Sequence, residues 1–285
     1  MFNDFDTIIR AIGEVPPVPA VASKVMLLLQ NPLYSLKTLA ATISRDPGIS
    51  ARVLKVANSV HYLQQQKVTT LDRAMIVLGE IFIRNLVFES CLRSSGSHFG
   101  PLQKRLWENS IGCAIAARLI ATRTRAVQDP EEAFLAGLFR HLGKNVMAAR
   151  HTVLYQQVIE ITDHRQGHIL DVERAFFAYS HEKIGAALLH SWNFPSTLIE
   201  STLHHHDLNL SPTDRPEIYR LCAVVRLAGA FCCHLGIGQT PTAEPRDLAQ
   251  SDSAAILGLD AGSIEEILGE FRGSFFQERR SFNIV

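Results

Sequence analysis

Hydrophobic residues recur along most of this chain at the three- and four-residue spacing of amphipathic helices. The clearest example is the segment 134–144, which we interpret as one helix with the apolar stripe Leu135, Leu138, Phe139, Leu142 and Val146. No stretch shows the alternation of apolar and polar residues, closed by hairpin turns, that is typical of paired β-strands. The pattern therefore predicts an all-α fold.

Polar residues at N-cap positions mark where several of these helices begin. Asp46-Pro47 and Asp129-Pro130 each place a capping carboxylate directly before a proline at the first helical position. Ser35 and Thr70 are caps of the same kind. Further helices are predicted over residues 18–30, 102–123, 153–165, 181–191 and 263–276.

Changes in composition divide the chain. The run from Ser94 to Pro101 is rich in serine and glycine, which favours a linker, and the segment 236–245 is rich in turn-forming residues. We therefore predict an N-terminal helical lobe over 1–95 and a second helical lobe over 101–235. Residues 236–285 would then be a C-terminal helical extension packed on the body.

Composition and charge narrow the class of protein. Hydrophobic residues make up 47% of the chain, and 28 basic residues balance 28 acidic ones, so bulk electrostatics would not drive binding to nucleic acid. The chain shows neither a basic apolar leader nor an apolar run that approaches the length of a membrane span. The five scattered cysteines lack zinc-site spacing and are typical of buried thiols in a reducing compartment. We expect a cytoplasmic protein that binds neither nucleic acid nor membrane.

Several histidines are candidates for chemistry, but each has a simpler interpretation. His141 stands beside the apolar stripe and could be a metal ligand, although a core histidine satisfied by hydrogen bonds is the simpler interpretation of the helix alone. His181 begins a helix and is predicted to be a surface or hinge residue. The run His204-His205-His206 ends a helix, where a partly exposed imidazolium complements the helix dipole. Lys144 could meet a phosphate or lie on a solvated flank.

Four motifs, in order along the chain, resemble those of the HDOD family: Glu14–Pro19, Ile43–Ser59, Leu71–Gly79 and His141–Lys144. The last motif resembles the His-Asp-x-Gly-Lys core of the HD phosphohydrolase superfamily, with leucine in place of the aspartate. The resemblance covers about residues 10 to 235 and implies an HD-domain-like helical bundle of two lobes.

The resemblance also implies that the metal site of that superfamily is degenerate here. Leu142 and Gly229 stand where the superfamily has aspartates, and Asn109 stands where it has a histidine. The central histidine is His141, and the further histidines would be His181 and either His205 or His206. We therefore expect these positions to be vestigial, with no catalytic residues and no cofactor. The alternative is a reduced site that holds a divalent metal such as iron, manganese or zinc.

Three functions follow as hypotheses, and one of them, a nucleotide-binding sensor that does not hydrolyse, has no glycine-rich phosphate loop to support it. The resemblance favours a non-catalytic module of bacterial signal transduction that acts through protein–protein contacts, because most of the metal ligands are replaced. The alternative is a metal-dependent phosphohydrolase or phosphodiesterase of HD type, built on His141, His181 and the 205/206 pair. The tail aromatics Phe271, Phe275 and Phe276 suit either a core or a self-association surface, so a homodimer is one expected assembly.

Overall fold

The computed structural model describes most of the chain as helices in two compact units, and none of the residues that it describes forms a β-strand. The described residues are 4–13, 20–29, 33–58, 67–80, 83, 86–87, 100–164, 168–207, 210, 212–239 and 247–278. Most of the predicted linker 94–101 and the motif Glu14–Pro19 lie outside them. Within them, no helix is both long enough and apolar enough to cross a membrane.

The described residues of the smaller unit include four short helices, three of which begin with a side-chain N-cap. They follow α1 (Phe5–Ile12) along the chain and are α2 (Ala20–Leu29), α3 (Leu36–Ile43), α4 (Pro47–Ala57) and α5 (Leu71–Leu78). Helix α3 packs on α2 and on α5, and α5 also packs on α4. The predicted caps are confirmed, because side-chain oxygens of Ser35, Asp46 and Thr70 accept backbone N–H groups at 3.1, 3.0 and 3.2 Å.

The larger unit contains the first helix and all the described helices after residue 100. Its helices are α1 (Phe5–Ile12), α6 (Pro101–Thr124), α7 (Pro130–Phe139), α8 (Leu142–Arg150), α9 (Thr152–Asp163), α10 (Ile169–Phe176), α11 (His181–Ser191), α12 (Ser196–His204), α13 (Pro216–His234), α14 (Asp252–Ile256) and α15 (Ala261–Glu278). Our division placed residues 1–95 in one lobe, whereas α1 packs on α11 through the buried side chains of Phe5 and Ile8. The other proposed boundaries stay a prediction.

Small residues let the central helices approach closely. A Cβ atom on Gly137 of α7 would lie 2.5 Å from the carbonyl oxygen of Cys113 in α6. A Cβ atom on Gly143 of α8 would lie 2.1 Å from the carbonyl oxygen of His181 in α11. Distances this short exclude any side chain larger than glycine, and the second contact brings the beginnings of α8 and α11 together.

The prediction of a single helix over residues 134–144 is wrong, because this segment belongs to two helices. Helix α7 ends at Phe139, and α8 begins at Leu142. His141 lies in the turn between them, with φ −110° and ψ 20°, outside the helical range. Leu142 and Val146 are still buried, so the apolar spacing continues across the break and does not reveal it.

Candidate functional site

Four imidazole rings converge beside the turn between α7 and α8. They belong to His141 in that turn, His181 at the start of α11, and His205 and His206 directly after α12. One ring nitrogen from each lies within 4.8 Å of the others. His181 and His205 are 0% and 2% exposed, so the predictions of a surface residue and of a partly exposed cap are wrong for these two. The close contact of Gly143 with α11 explains the burial of His181.

His181 is held by a carboxylate on the preceding helix. Its backbone N–H and its Nδ1–H both donate to Oε2 of Glu173, each at 2.8 Å. The hydroxyl of Tyr155 donates to the other oxygen of that carboxylate at 2.6 Å. Burial raises the pKa of Glu173, but His181, Lys144 and the Tyr155 hydroxyl outweigh it, and the pKa falls to about 2. A carboxylate only accepts hydrogen bonds, so Nε2 of His181 carries a lone pair.

His205 has the same tautomer for a similar reason. Its Nδ1–H donates to the backbone carbonyl of Thr202 at 2.7 Å, which leaves a lone pair on Nε2. The two Nε2 atoms of His181 and His205 are 3.2 Å apart, and Nε2 of His206 lies 3.0 Å from that of His181. Three imidazole nitrogens therefore face one another, each within hydrogen-bonding distance of at least one other. Such an arrangement favours a proton or a cation between the rings.

His141 differs from the other three histidines, because the guanidinium of Arg140 is hydrogen-bonded to its Nε2 atom. The Nε and Nη2 groups of Arg140 lie 3.1 and 3.0 Å from that atom. On the other side of the ring, Nδ1–H donates to Oδ1 of Asn109 at 3.0 Å, and Asn109 donates in turn to the carbonyl of Ile237. Arg140 also donates through Nη1 to the carbonyl of Val225 at 3.1 Å. Both nitrogens of His141 are thus used within the protein.

Gly229 and Leu142, the two positions without carboxylates, explain how the guanidinium of Arg140 can lie at His141. A Cβ atom on Gly229 would lie 1.7 Å from Nη1 of Arg140, so the guanidinium fills the space into which a side chain at this position would extend. Leu142 is 0% exposed and belongs to the core. Arg140 is a residue of the site that sequence reasoning missed. The available signals were an arginine directly before His141 and a glycine where the superfamily has an acid.

The imidazoles of this site are neutral near pH 7. Burial lowers the pKa of His141 and of His205 well below the usual value, and the charge of Arg140 lowers both further. Burial also lowers the pKa of His181 and of His206. Lys144 is only 9% exposed, so it does not lie on a solvated flank, and burial lowers its pKa to about 8. The charged groups next to the rings are therefore the cations Arg140 and Lys144 and the carboxylate of Glu173.

The donor set fits one metal ion better than two. The nitrogens of His181, His205 and His206 could hold a single divalent ion, with Glu173 and the Thr202 carbonyl orienting the rings from behind. A pair of ions needs bridging carboxylates, and the two that lie near the rings, Glu173 and Glu182, face Nδ1 of His181 at 2.8 and 3.9 Å, on the side of the ring away from the other histidines. The nearest carboxylate, that of Glu173, already accepts three hydrogen bonds.

Comparison with known proteins relates most of the chain to one family. The family model described as the HDOD domain matches residues 15–208. A curated protein of Treponema pallidum, described as uncharacterized, is 24% identical over 240 residues, which is 83% of this chain. The chain spans about half the length of that relative, 46%.

Three solved structures share the fold. An HDOD domain protein of unknown function from Geobacter sulfurreducens is 24% identical, with a TM-score of 0.78 over 99% of this chain and 97% of the other. A putative signal transduction protein from Marinobacter aquaeolei VT8 is 21% identical, with a TM-score of 0.76 over 98% of this chain and 60% of the other. A putative phosphohydrolase from Shewanella amazonensis SB2B is 23% identical, with a TM-score of 0.72 over 96% of this chain and 97% of the other. These likenesses establish the all-helical fold.

Proposed function

This chain belongs to the HDOD domain family, and we propose that it is a non-catalytic regulatory module that acts through protein partners in a bacterial signalling pathway. The observation on which the proposal depends is the guanidinium of Arg140 at Nε2 of His141. A cytoplasmic location is part of the same proposal.

The guanidinium opposes metal-dependent hydrolysis in two ways. It uses the lone pair through which His141 would bind a metal, since the ring's other nitrogen donates to Asn109. It also places a permanent positive charge next to the remaining rings, where a divalent cation would have to lie. Hydrolysis of a phosphate ester by metal ions needs a bound metal that activates water and offsets the charge of the substrate. In this proposal the guanidinium of Arg140 takes the place of that metal cation.

A role through protein contacts is supported by the fold and by one structural relative. One of the solved structures with this fold is described as a putative signal transduction protein. Helical bodies offer grooves and helix faces that bind helices of a partner. The identity of the partner would come from cross-linking in the native cell followed by mass spectrometry.

A hydrolysis assay with metal analysis tests the non-catalytic part of the proposal. We expect protein purified without added metal to hold well under one equivalent of iron, manganese or zinc. We also expect no turnover of cyclic dinucleotides or of simple phosphate esters, with or without these metals, above the level of the matched variant His181→Ala. Stoichiometric metal together with turnover that His181→Ala abolishes would refute the proposal.

One observation favours the second candidate, a metal-dependent phosphohydrolase of HD type. The rings of His181, His205 and His206 face one another, and hydrogen bonds at Nδ1 fix the tautomers of His181 and His205, as in a three-nitrogen metal site. A bound ion there would polarise a phosphoryl oxygen or activate water. The same assay separates the candidates, because only the hydrolase loses activity when His181 is replaced.

A further inference from the structure

Two cysteine thiols from different helices meet in the core of the larger unit. Sγ of Cys113 in α6 and Sγ of Cys232 in α13 are 3.6 Å apart, although 119 positions separate these residues along the chain. Both side chains are fully buried, and neither is in a disulfide. A Cβ atom on Gly112 would lie 2.9 Å from Sγ of Cys232, so this thiol lies directly against the backbone of α6. The sulfurs are therefore in contact at a point where the two helices pack closely.

The other cysteines that the structure describes have no such partner. Cys222 lies in the same helix as Cys232 and is also buried, but no other sulfur among the described residues is within hydrogen-bonding distance of its own. Burial raises its pKa to about 12, so it remains a thiol. Cys233 follows Cys232 directly and is only half-buried, and it contacts no described sulfur either. The packing thus selects one pair from the described cysteines.

The two thiols of this pair differ in acidity. The S–H of Cys232 lowers the pKa of Cys113 most, and the charges of Arg140 and Lys144 lower it further, so that it falls to about 7 in spite of burial. Burial raises the pKa of Cys232 well above its usual value. Near pH 7 a thiolate on Cys113 therefore lies beside a protonated thiol on Cys232. In such a pair one sulfur can attack an oxidant, and the other can then resolve the product.

A cavity of about 180 Å³ provides a route for a small oxidant. Asn109 lines this cavity one helical turn before Cys113, and its Oδ1 atom lies 3.6 Å from Sγ of Cys113. Because one water occupies about 30 Å³ of liquid, the volume is room for about six waters. Hydrogen peroxide is little larger than water, so it fits this space. The sulfur of Cys113 is then one amide side chain away from the oxidant.

We propose that Cys113 and Cys232 are a peroxide-sensitive pair that forms an intrachain disulfide between α6 and α13. The thiolate of Cys113 attacks one oxygen of hydrogen peroxide, the O–O bond breaks, and the products are a sulfenic acid and, after uptake of one proton, water. The thiol of Cys232 then attacks that sulfur, the S–S bond forms, and the sulfenic oxygen leaves as a second water. The two thiols lose two electrons, and the peroxide gains two. In a reducing compartment such a disulfide is transient, as a redox signal requires.

The disulfide would join the two helices that hold Arg140 and His141 in place. Asn109 in α6 accepts the Nδ1–H of His141, and the carbonyl of Val225 in α13 accepts the Nη1–H of Arg140. Oxidation also removes the S–H of Cys113 that faces Oδ1 of Asn109. The pair therefore adjoins the histidine cluster, and its oxidation does not depend on the proposed regulatory role.

Peptide mapping of the full chain tests the pair. Fully reduced protein, freed of reductant, is treated with hydrogen peroxide at pH 7, blocked with N-ethylmaleimide and digested with trypsin without reduction. We expect the peptides of Cys113 and Cys232 to appear as one linked species, at least tenfold more abundant than any other cysteine pair and separable by dithiothreitol. The same treatment in urea, where the folded contact is lost, should abolish this preference. Absence of the linked species, preference for another pair in the folded protein, or an equal preference in urea would overturn the proposal.

Two alanine variants assign the partner of Cys113, because Cys232 and Cys233 share the tryptic peptide between Arg226 and Arg246. We expect Cys233→Ala to form the link as the native chain does and Cys232→Ala to lose it. The sulfenic acid of Cys232→Ala has no resolving thiol, so dimedone, which reacts with sulfenic acids, should label Cys113. If Cys232→Ala fails to fold, fragment masses of the linked native peptides assign the partner instead. A link that Cys232→Ala retains, or that Cys233→Ala loses, or absence of the dimedone label from Cys113 in the folded variant, would overturn the proposal.

Discussion

Replacing Gly229 by alanine should show whether Arg140 and Gly229 form one structural unit. The three atoms nearest to the added Cβ all belong to the guanidinium of Arg140, the closest at 1.7 Å. Gly229 lies within α13 and is fully surrounded, so the backbone cannot move away easily. The guanidinium must therefore leave its position, and it loses its contacts with His141 and with the carbonyl of Val225.

The expected cost follows from those contacts. A hydrogen bond to a charged group contributes about 1.5–3 kcal/mol. The guanidinium binds two acceptors, so displacing it should cost about 3 kcal/mol or more. Alanine is better than glycine in a helix interior by about 1 kcal/mol, which offsets part of this cost. We expect Gly229→Ala to lower the free energy of unfolding by about 2 kcal/mol or more.

A double-mutant cycle measured by urea unfolding gives the test. In the Arg140→Ala background the guanidinium is absent, and the same Gly229→Ala change should then stabilise the protein by up to about 1 kcal/mol. Gly269→Ala in α15 is the matched control, because nothing lies within 4 Å of its added Cβ, and it should be neutral or stabilising in both backgrounds. An equal loss of stability for Gly229→Ala with and without Arg140 would refute the reasoning.

Three further changes have definite expected outcomes. Leu142→Asp places a carboxylate in the core and should destabilise the protein by about 3 kcal/mol or more, while elemental analysis finds no gain in bound metal; unchanged stability would contradict the burial of this residue. Burial lowers the pKa of Lys144 to about 8 from 10.5, so the folded state binds fewer protons than the unfolded state between these values. The free energy of unfolding should therefore rise with pH between about 8 and 10.5, by up to about 3 kcal/mol relative to Lys144→Met. If the urea midpoints of the native protein and of Lys144→Met differ by the same amount at every pH in this range, the prediction is contradicted. Asp46→Ala removes the cap of α4 and should cost about 0.5–2 kcal/mol, with faster hydrogen exchange at the Ile49 amide; melting and exchange that both stay unchanged would count against it.

Helix starts were predictable from the sequence because they depend on local chemistry. Asp129 accepts the N–H of Glu131 at 2.9 Å, and Pro130 begins α7 as expected. The break after Phe139 was not predictable in this way. It depends on partners that are distant in sequence, such as the carbonyl of Val225 that binds Arg140. Apolar spacing reports which face is buried, and that face continues across the break.

The site shows the same division between local and distant causes. Sequence reasoning identified His141, His181 and the 205/206 pair, and the structure brings these histidines together. The tautomers of His181 and His205 come from Glu173 and the Thr202 carbonyl, which no motif marks. The position of the Arg140 guanidinium at Nε2 of His141 was also unpredictable. It requires the free space beside Gly229, which is 89 positions away in a different helix. Restoring an acid at that position would require replacing Arg140 as well.

The contact of α1 with α11 makes the larger unit discontinuous in sequence. A fragment that begins at residue 100 would contain the histidine cluster, but it would lack Phe5 and Ile8, and the surface of α11 near His190 would be exposed. Exposed apolar surface of this kind promotes self-association. A dimer observed with such a fragment would therefore result from the truncation. Joining residues 4–13 to the fragment through a flexible linker would allow α1 to cover α11 again.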